Sequence, residues 1–108
     1  ENGVADSRVI IQQIVKALQK GVSAESIALG FHAAVADIIA SFAVKYKNET
    51  DQIALSGGVF ANELLCCLAE DKLKNLGFSV FFNEKVPCND GGIALGQAYI
   101  CSMVTDMV

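Results

Sequence analysis

Two adjacent glycines, Gly57 and Gly58, stand in the stretch LSGGVFAN, which ends at Asn62. Glycine inside an element of secondary structure costs about 0.5–1 kcal/mol relative to alanine, so an adjacent pair answers a particular need. A helix N-terminus presents unpaired backbone N–H groups, and glycines let a phosphate or a nucleotide approach that backbone closely. Gly57 and Gly58 are therefore candidate nucleotide-binding residues, and a plain tight turn is the alternative.

A second glycine-rich stretch reads NDGG and carries a carboxylate at Asp90, followed by Gly91 and Gly92. A carboxylate beside a phosphate site commonly binds a cation that neutralises the phosphates. Asp90 could equally cap the helix that follows, which would stabilise that helix by about 1 kcal/mol. Both roles stay open, and Gly91 and Gly92 are further candidates for nucleotide binding.

Neither stretch matches a common phosphate-binding fingerprint. The sequence contains no GxxxxGK[ST] motif and no GxGxxG motif after a strand. A Walker-type or Rossmann-type site is therefore excluded.

The spacing of apolar residues predicts four helices and two short strands around these glycines. The order is helix, helix, strand, helix, strand, helix. The predicted first helix starts at Asp6 or Ser7 and ends before Gly21, and the second runs from a cap at Ser23 to about Lys47. Gly77 closes the third helix, and the fourth starts near Gly91 or Gly92. The predicted strands are Gln52–Leu55 and Phe78–Phe82.

A strand-helix-strand unit almost always places its strands in parallel with a right-handed crossover. Ligands of open α/β sheets lie beyond the carboxyl ends of such strands, and each glycine-rich stretch follows one strand. We therefore expect the two stretches to bracket one ligand. Two strands are too few for an independent parallel sheet, so residues 1–108 are predicted to be a single piece of a larger α/β domain.

Composition limits the classes of function. The chain has 108 residues, of which 53% are hydrophobic and 19% charged, and its formal net charge is −4. This is typical of one globular unit, and the negative charge argues against binding to a nucleic-acid backbone. Charged and polar residues interrupt the apolar runs before they reach the ~20 residues of a bilayer span, so no membrane partner is expected.

The four cysteines, Cys66, Cys67, Cys88 and Cys101, form no CxxC motif. Adjacent helical residues point about 100° apart, so the first two do not face one metal ion. We expect reduced and mostly buried thiols in a cytoplasmic protein. The one histidine, His32, lies beside the apolar stripe of the second helix and is interpreted as a packed helix residue.

Three long motifs, ESIALGFHAAVADII, ALSGGVFANELL and VPCNDGGIALGQA, resemble the C-terminal part of the HypF family of hydrogenase maturation carbamoyltransferases. The resemblance covers nearly the whole chain, and its FH dipeptide includes His32. It implies one lobe of the actin, sugar-kinase and Hsp70 ATPase fold, which is ribonuclease H-like. The sequence departs from the usual motifs at Ala61, Glu63 and Cys88.

The resemblance also implies roles for single residues. Gly57, Gly58 and Asn62 would lie on the adenosine side of bound ATP. Asp90 would be one ligand of a divalent metal ion near the phosphates. The other ligands would be two histidines of an HxxxH motif in the preceding lobe. These histidines have no counterpart in this chain. No residue of this chain is assigned a catalytic role.

The implied reaction converts carbamoyl phosphate and ATP to a carbamoyl adenylate and passes the carbamoyl group to the C-terminal cysteine of HypE. We expect this chain to be inactive without the upstream domains and to self-associate when isolated. One alternative is a lobe of a TsaD-like tRNA threonylcarbamoyltransferase, and another is a non-catalytic nucleotide-binding scaffold. The NDGG motif favours the first interpretation.

Overall fold

The computed structural model describes residues 5–105. Its elements follow the predicted order. The helices are α1 (Ser7–Gln19), α2 (Ala24–Lys45), α3 (Glu63–Asn75) and α4 (Ile93–Thr105), and the strands are β1 (Gln52–Leu55) and β2 (Ser79–Phe82). Two short 3-10 turns, Gly58–Ala61 and Asp90–Gly92, precede α3 and α4.

The predicted helix ends are confirmed within two residues. The side chain of Asp6 accepts a hydrogen bond from the backbone of Arg8, and the side chain of Ser23 accepts one from the backbone of Ser26. Gly21 and Gly77 follow α1 and α3 with φ angles of 74° and 80°, a conformation that favours glycine at the end of a helix. Each of the first three helices therefore begins at a polar cap or ends at a glycine.

The two strands form a parallel pair, as the strand-helix-strand pattern predicts. Gln52 pairs with Ser79 at one end of the ladder and Leu55 pairs with Phe82 at the other. The carboxyl ends of β1 and β2 consequently lie side by side. The two glycine-rich stretches start from this common edge of the sheet.

The core lies mainly between α2 and α3, and four of its eight buried residues are alanines. Small residues let two helix backbones approach each other closely and still exclude water. An ion pair of 2.6 Å between Lys72 and Asp37 also joins these two helices. The buried residues are Ala36, Ala40, Ala43, Leu55, Leu65, Ala69, Leu73 and Phe78.

Helix α2 corrects the expectation that every apolar run is shorter than a bilayer span. It is 22 residues long and apolar enough to cross a membrane, judged by length and composition alone. The apolar run is longer than the sequence pattern predicts, because Glu25, Asp37 and Lys45 are the only charged residues of α2. Core helices of soluble proteins share the same length and composition, and the alanine face of α2 is buried against α3.

Much apolar surface stays exposed on the terminal helices. No residue of α1 is buried, although its apolar side faces α2. Residues 93–104 of α4 are all exposed, and they include no charged side chain. The largest exposed apolar side chains of these two helices are Val9, Ile11, Val15, Leu18, Ile93, Leu95, Tyr99, Ile100, Met103 and Val104.

The cysteines are less buried than the sequence suggests. Cys66 and Cys88 are half-buried, whereas Cys67 and Cys101 are exposed. Cys67 lies on the outer side of α3, and Cys101 lies on the exposed helix α4. The expectation of mostly buried thiols is therefore wrong, and Cys66, Cys67 and Cys88 form no disulfide bond within residues 5–105.

Candidate nucleotide-binding site

A cleft of about 360 Å³ lies beyond the carboxyl ends of β1 and β2. Ser56 and Gly57 line one side of it, and residues 86–90 with Asn83, Gly92 and Ile93 line the other. Three of the predicted site residues, Gly57, Asp90 and Gly92, therefore line one cleft. This is the place where the topology of a parallel sheet puts a ligand.

Gly57 joins the two loops, and its backbone conformation by itself requires glycine. Its N–H donates a 2.8 Å hydrogen bond to the carbonyl oxygen of Cys88. Its φ is 112° and its ψ is 157°, a combination that is essentially confined to glycine. A turn requirement is therefore sufficient to explain Gly57.

Gly58 has no such structural explanation. Its φ is not positive, and a Cβ atom added there would have Asn89 Cβ, 4.0 Å away, as its nearest neighbour. The fold would accept a side chain at this position. Gly58 does not itself line the cleft, but the open space beside it adjoins Asn89, which does.

The glycine pair lies farther from α3 than the sequence suggests. The 3-10 turn Gly58–Ala61 separates the pair from α3, which starts at Glu63. Asn62, rather than a glycine, caps α3. The glycine pair therefore precedes α3 by one 3-10 turn and does not form the N-terminus of that helix.

Gly92 is explained by close packing. A Cβ atom at Gly92 would lie 2.8 Å from the carbonyl oxygen of Pro87 and 3.1 Å from a methyl carbon of Val86. At Gly91 it would lie 3.0 Å from Asn89 Oδ1. These two glycines let the loop fold back over the start of the helical segment.

Asn89, and not Asp90, caps the turn that leads into α4. Asn89 Oδ1 accepts a 3.0 Å hydrogen bond from the backbone N–H of Gly91. Asp90 is the next residue, at the first position of the turn, so its carboxylate is too far along the chain to act as the cap. The capping alternative for Asp90 is therefore wrong.

The carboxylate of Asp90 fits one position in the coordination shell of a hard cation. It is exposed at the cleft, and within residues 5–105 it has no hydrogen-bond or ion-pair partner. Oxygen ligands of this kind suit Mg²⁺ or a similar ion. Within the same described range, no three residues of the metal-binding types come together, so Asp90 is not part of a three-ligand group in this part of the chain.

Asn62 is engaged on two sides, outside the lining of the cleft. Its Oδ1 accepts a 3.1 Å hydrogen bond from the backbone N–H of Leu65, and its Nδ2 lies 2.8 Å from Nε2 of His32. The sequence predicts a packed helix residue at His32 but does not predict this contact. The FH dipeptide within the longest helical motif was the one signal for it.

The thiol of Cys66, on α3, holds the 3-10 turn Gly58–Ala61 against that helix. It donates a 3.1 Å hydrogen bond to the carbonyl oxygen of Phe60. Burial raises the pKa of this thiol above its ordinary value, and the negative charges of neighbouring groups raise it further. Cys66 therefore stays protonated and has a structural role.

Comparison with known proteins decides the family. The family described as "Carbamoyltransferase, Kae1-like Domain, second subdomain" matches residues 1–97. The chain belongs to the HypF family of carbamoyltransferases.

Within the aligned segment, relatives of this family are identical to the chain at about a third of the positions. The carbamoyltransferase HypF homolog of Cupriavidus necator is 31% identical over 107 residues, which are 94% of this chain and 27% of the relative. The probable carbamoyltransferase HypF of Methanocaldococcus jannaschii is 30% identical over 104 residues, which are 93% of this chain and 14% of that protein. The chain thus spans about a quarter or less of the length of these HypF relatives.

A solved structure agrees in fold as well as in sequence. The crystal structure of full-length HypF in the phosphate- and nucleotide-bound form matches 92% of this chain and 13% of its own length. The TM-score is 0.85 at 40% identity. The predicted α/β lobe is thereby confirmed.

Part of the HypF lobe is also shared with a second class of transferase. The tRNA N6-adenosine threonylcarbamoyltransferase of Francisella tularensis subsp. novicida is 34% identical over 70 residues, which are 63% of this chain and 21% of the relative. The similarity is confined to a shorter segment than the similarity to the HypF proteins.

Proposed function

We propose that this chain is the nucleotide-facing subdomain of a HypF-type carbamoyltransferase, and that ATP binds at the cleft beyond β1 and β2. Gly58 is the observation that carries the proposal. It is a glycine that neither backbone conformation nor packing requires, and it adjoins the cleft where the Gly57–Cys88 hydrogen bond joins the two loops. The phosphate- and nucleotide-bound form of the similar HypF structure supports the same assignment.

In this proposal the residues of the chain bind and orient the nucleotide. Gly58 leaves room for the ligand, and the polar backbone of the two loops offers hydrogen bonds to anionic oxygens. Asn62 contributes a side-chain amide on the adenosine side. No side chain of this segment is needed as a nucleophile, because the accepting thiol belongs to the C-terminal cysteine of HypE.

Asp90 would supply one ligand of a divalent metal ion, and two histidines of the upstream lobe would supply others. Such an ion would offset the negative charge of the phosphates. The overall reaction would use carbamoyl phosphate and ATP to make a carbamoyl adenylate and transfer its carbamoyl group to HypE. Hydrogenase maturation in the cytoplasm is the corresponding process.

The chain alone would be inactive in carbamoyl transfer. It spans 27% and 14% of the two HypF relatives, so the remaining domains would carry the other half of the nucleotide site. Its net charge of −4 argues against a nucleic-acid partner. The upstream domains of the same protein and HypE are the proposed partners.

A tRNA threonylcarbamoyltransferase lobe is the second candidate. The identity of 34% to the Francisella enzyme favours it, although this similarity covers only 63% of the chain. A non-catalytic scaffold that only binds nucleotide is the third. The three differ in what they modify: a HypE cysteine, a tRNA adenosine, or nothing.

The test uses the full-length protein that carries this chain. ATP-dependent carbamoyl transfer to a peptide with the HypE C-terminus is measured by mass spectrometry, with tRNA as the competing acceptor. Gly58→Val should reduce ATP affinity and transfer while the protein stays folded, and Gly96→Ala on α4 is the control. Transfer to tRNA would favour the second candidate, and nucleotide binding without any transfer would favour the scaffold.

A further inference from the structure

A directed chain of hydrogen bonds joins α2 to the start of α3 through the side chains of His32 and Asn62. The imidazole Nδ1 of His32 lies 2.7 Å from the carbonyl oxygen of Ala28, one turn earlier on α2. Its Nε2 lies 2.8 Å from Nδ2 of Asn62. Asn62 Oδ1 completes the chain by accepting from the backbone N–H of Leu65 at 3.1 Å.

The two backbone groups at its ends fix the direction of this chain. A carbonyl oxygen only accepts and a backbone N–H only donates. Nδ1 of His32 must therefore carry the proton shared with Ala28, and Asn62 must turn its oxygen toward Leu65. The NH₂ group of Asn62 then donates to the lone pair on Nε2, so His32 is neutral with its proton on Nδ1.

We propose that His32 is a positioning residue that holds the amide of Asn62 in one of its two orientations for the nucleotide. This inference rests on the proposed function, because it assigns the ligand of Asn62. One amide hydrogen and one oxygen lone pair of Asn62 are left for that ligand. They match a group that both accepts and donates a hydrogen bond, such as a sugar hydroxyl.

The surroundings of both side chains suit this role. His32 is half-buried, and the ring of Phe31 packs edge-on to it with 6.1 Å between ring centroids. Asn62 is exposed, so its remaining donor and acceptor are accessible. A half-buried ring therefore orients an exposed amide.

The first test observes the tautomer of His32 directly. It uses long-range ¹H–¹⁵N correlation spectra of the 108-residue chain, whose one histidine makes the assignment unambiguous. We expect a neutral ring with a protonated Nδ1 and an unprotonated Nε2, whereas a neutral imidazole in water prefers the proton on Nε2. Observation of the Nε2–H tautomer, or of rapid exchange between the two, would overturn the proposal.

The second test compares variants in the full-length protein by titration with ATP. His32→Leu removes the acceptor for Asn62 and should weaken ATP binding by about fivefold, the value of one lost hydrogen bond. His32→Gln keeps an acceptor oxygen at the position of Nε2 and should restore affinity to within about twofold of wild type. Equal ATP affinity in His32→Leu and wild type would overturn the proposal.

A matched control separates positioning from general damage to α2. Ser41 Oγ donates a 2.7 Å hydrogen bond to the carbonyl of Asp37, one turn earlier on the same helix, just as His32 does to Ala28. Ser41→Ala should leave ATP affinity unchanged. If Ser41→Ala weakened binding as much as His32→Leu, helix damage would explain both effects and the proposal would fail.

Failure of the proposed function gives a different result. If the wild-type full-length protein bound no ATP, both the proposed function and the nucleotide role of Asn62 would be wrong. The tautomer spectra would still show whether His32 holds Asn62. If His32→Leu failed to fold, the comparison of His32→Gln with wild type and the tautomer spectra would decide the inference.

Discussion

The backbone N–H of Gly57 donates a hydrogen bond of 2.8 Å to the carbonyl oxygen of Cys88. This bond connects the loop after β1 to the loop after β2, on the side of the sheet where the cleft lies. Because of this bond, the loops that carry Gly57 and Cys88, two residues 31 positions apart in the sequence, form the two walls of one cleft. The glycines of the two loops serve different needs: backbone conformation, close packing or space for a ligand. Substitution of each glycine can distinguish these needs.

Gly57→Ala should destabilise the chain by about 1–3 kcal/mol, because a Cβ atom disfavours its φ of 112°. Gly58→Ala should change the free energy of unfolding by less than about 0.5 kcal/mol, since the space around Gly58 is open. Urea denaturation monitored by circular dichroism measures both values. Equal destabilisation by the two substitutions would contradict the distinction between a turn glycine and a ligand glycine.

Gly92→Ala should destabilise the chain by about 1–3 kcal/mol because of overpacking. Its new methyl group would lie 2.8 Å from the carbonyl oxygen of Pro87, a backbone atom that moves only with the loop. Gly96→Ala is the matched control, since no atom lies within 4 Å of the added Cβ on α4. That control should stabilise the helix by up to about 1 kcal/mol. Thermal unfolding of the two variants side by side is the measurement.

Asn89→Ala should affect mainly stability, whereas Asp90→Asn should affect mainly activity. Loss of the Asn89 cap should cost about 1 kcal/mol, whereas Asp90→Asn should cost only a few tenths because Asp90 is not the cap. In the full-length protein, Asp90→Asn should abolish metal-dependent transfer. Unfolding curves and the transfer assay measure these effects.

The metal assignment of Asp90 has its own counter-test. The isolated chain should bind divalent metal ions only weakly in calorimetric titration, because one carboxylate leaves most of the coordination shell to water. Submicromolar metal binding by the isolated chain would contradict the shared site. Full activity of Asp90→Asn would also contradict it.

Cys66 should react with iodoacetamide more slowly than Cys67 in the folded chain at pH 8. The thiolate is the reactive form, and burial raises the pKa of Cys66, so less of it is ionised at a given pH. Its alkylation should speed up as the pH rises toward that raised pKa. Peptide mass spectrometry follows each site, and the two rates should become similar in 8 M urea. Faster labelling of Cys66 than of Cys67 under native conditions would refute this prediction.

The isolated chain should self-associate through its exposed apolar side chains. Leu95, Tyr99 and Ile100 on α4 are each more than half exposed, and exposed patches of this kind rarely stay uncovered in soluble proteins. Sedimentation velocity at several concentrations measures the effect. A single monomeric species from micromolar to millimolar concentration would show that the expectation is wrong.

Local patterns in the sequence were enough to predict the order of elements, the caps at Asp6 and Ser23 and the parallel strand pair. These features depend on periodicity and on residues close together in the chain. The His32–Asn62 contact joins residues 30 apart and depends on how α2 packs against α3. The choice between Asn89 and Asp90 as cap depends on a shift of one residue, which periodicity does not resolve.

The buried residues belong to α2, β1, α3 and the position just before β2, whereas α1 and residues 93–104 of α4 bury none of their own. Stability is therefore unevenly distributed along the chain. Segments that bury little can open by local fluctuation while the rest stays folded. Both ends would fray and exchange their amide protons early, and the central strand-helix-strand unit, which holds the two loops together, would be the last part to open.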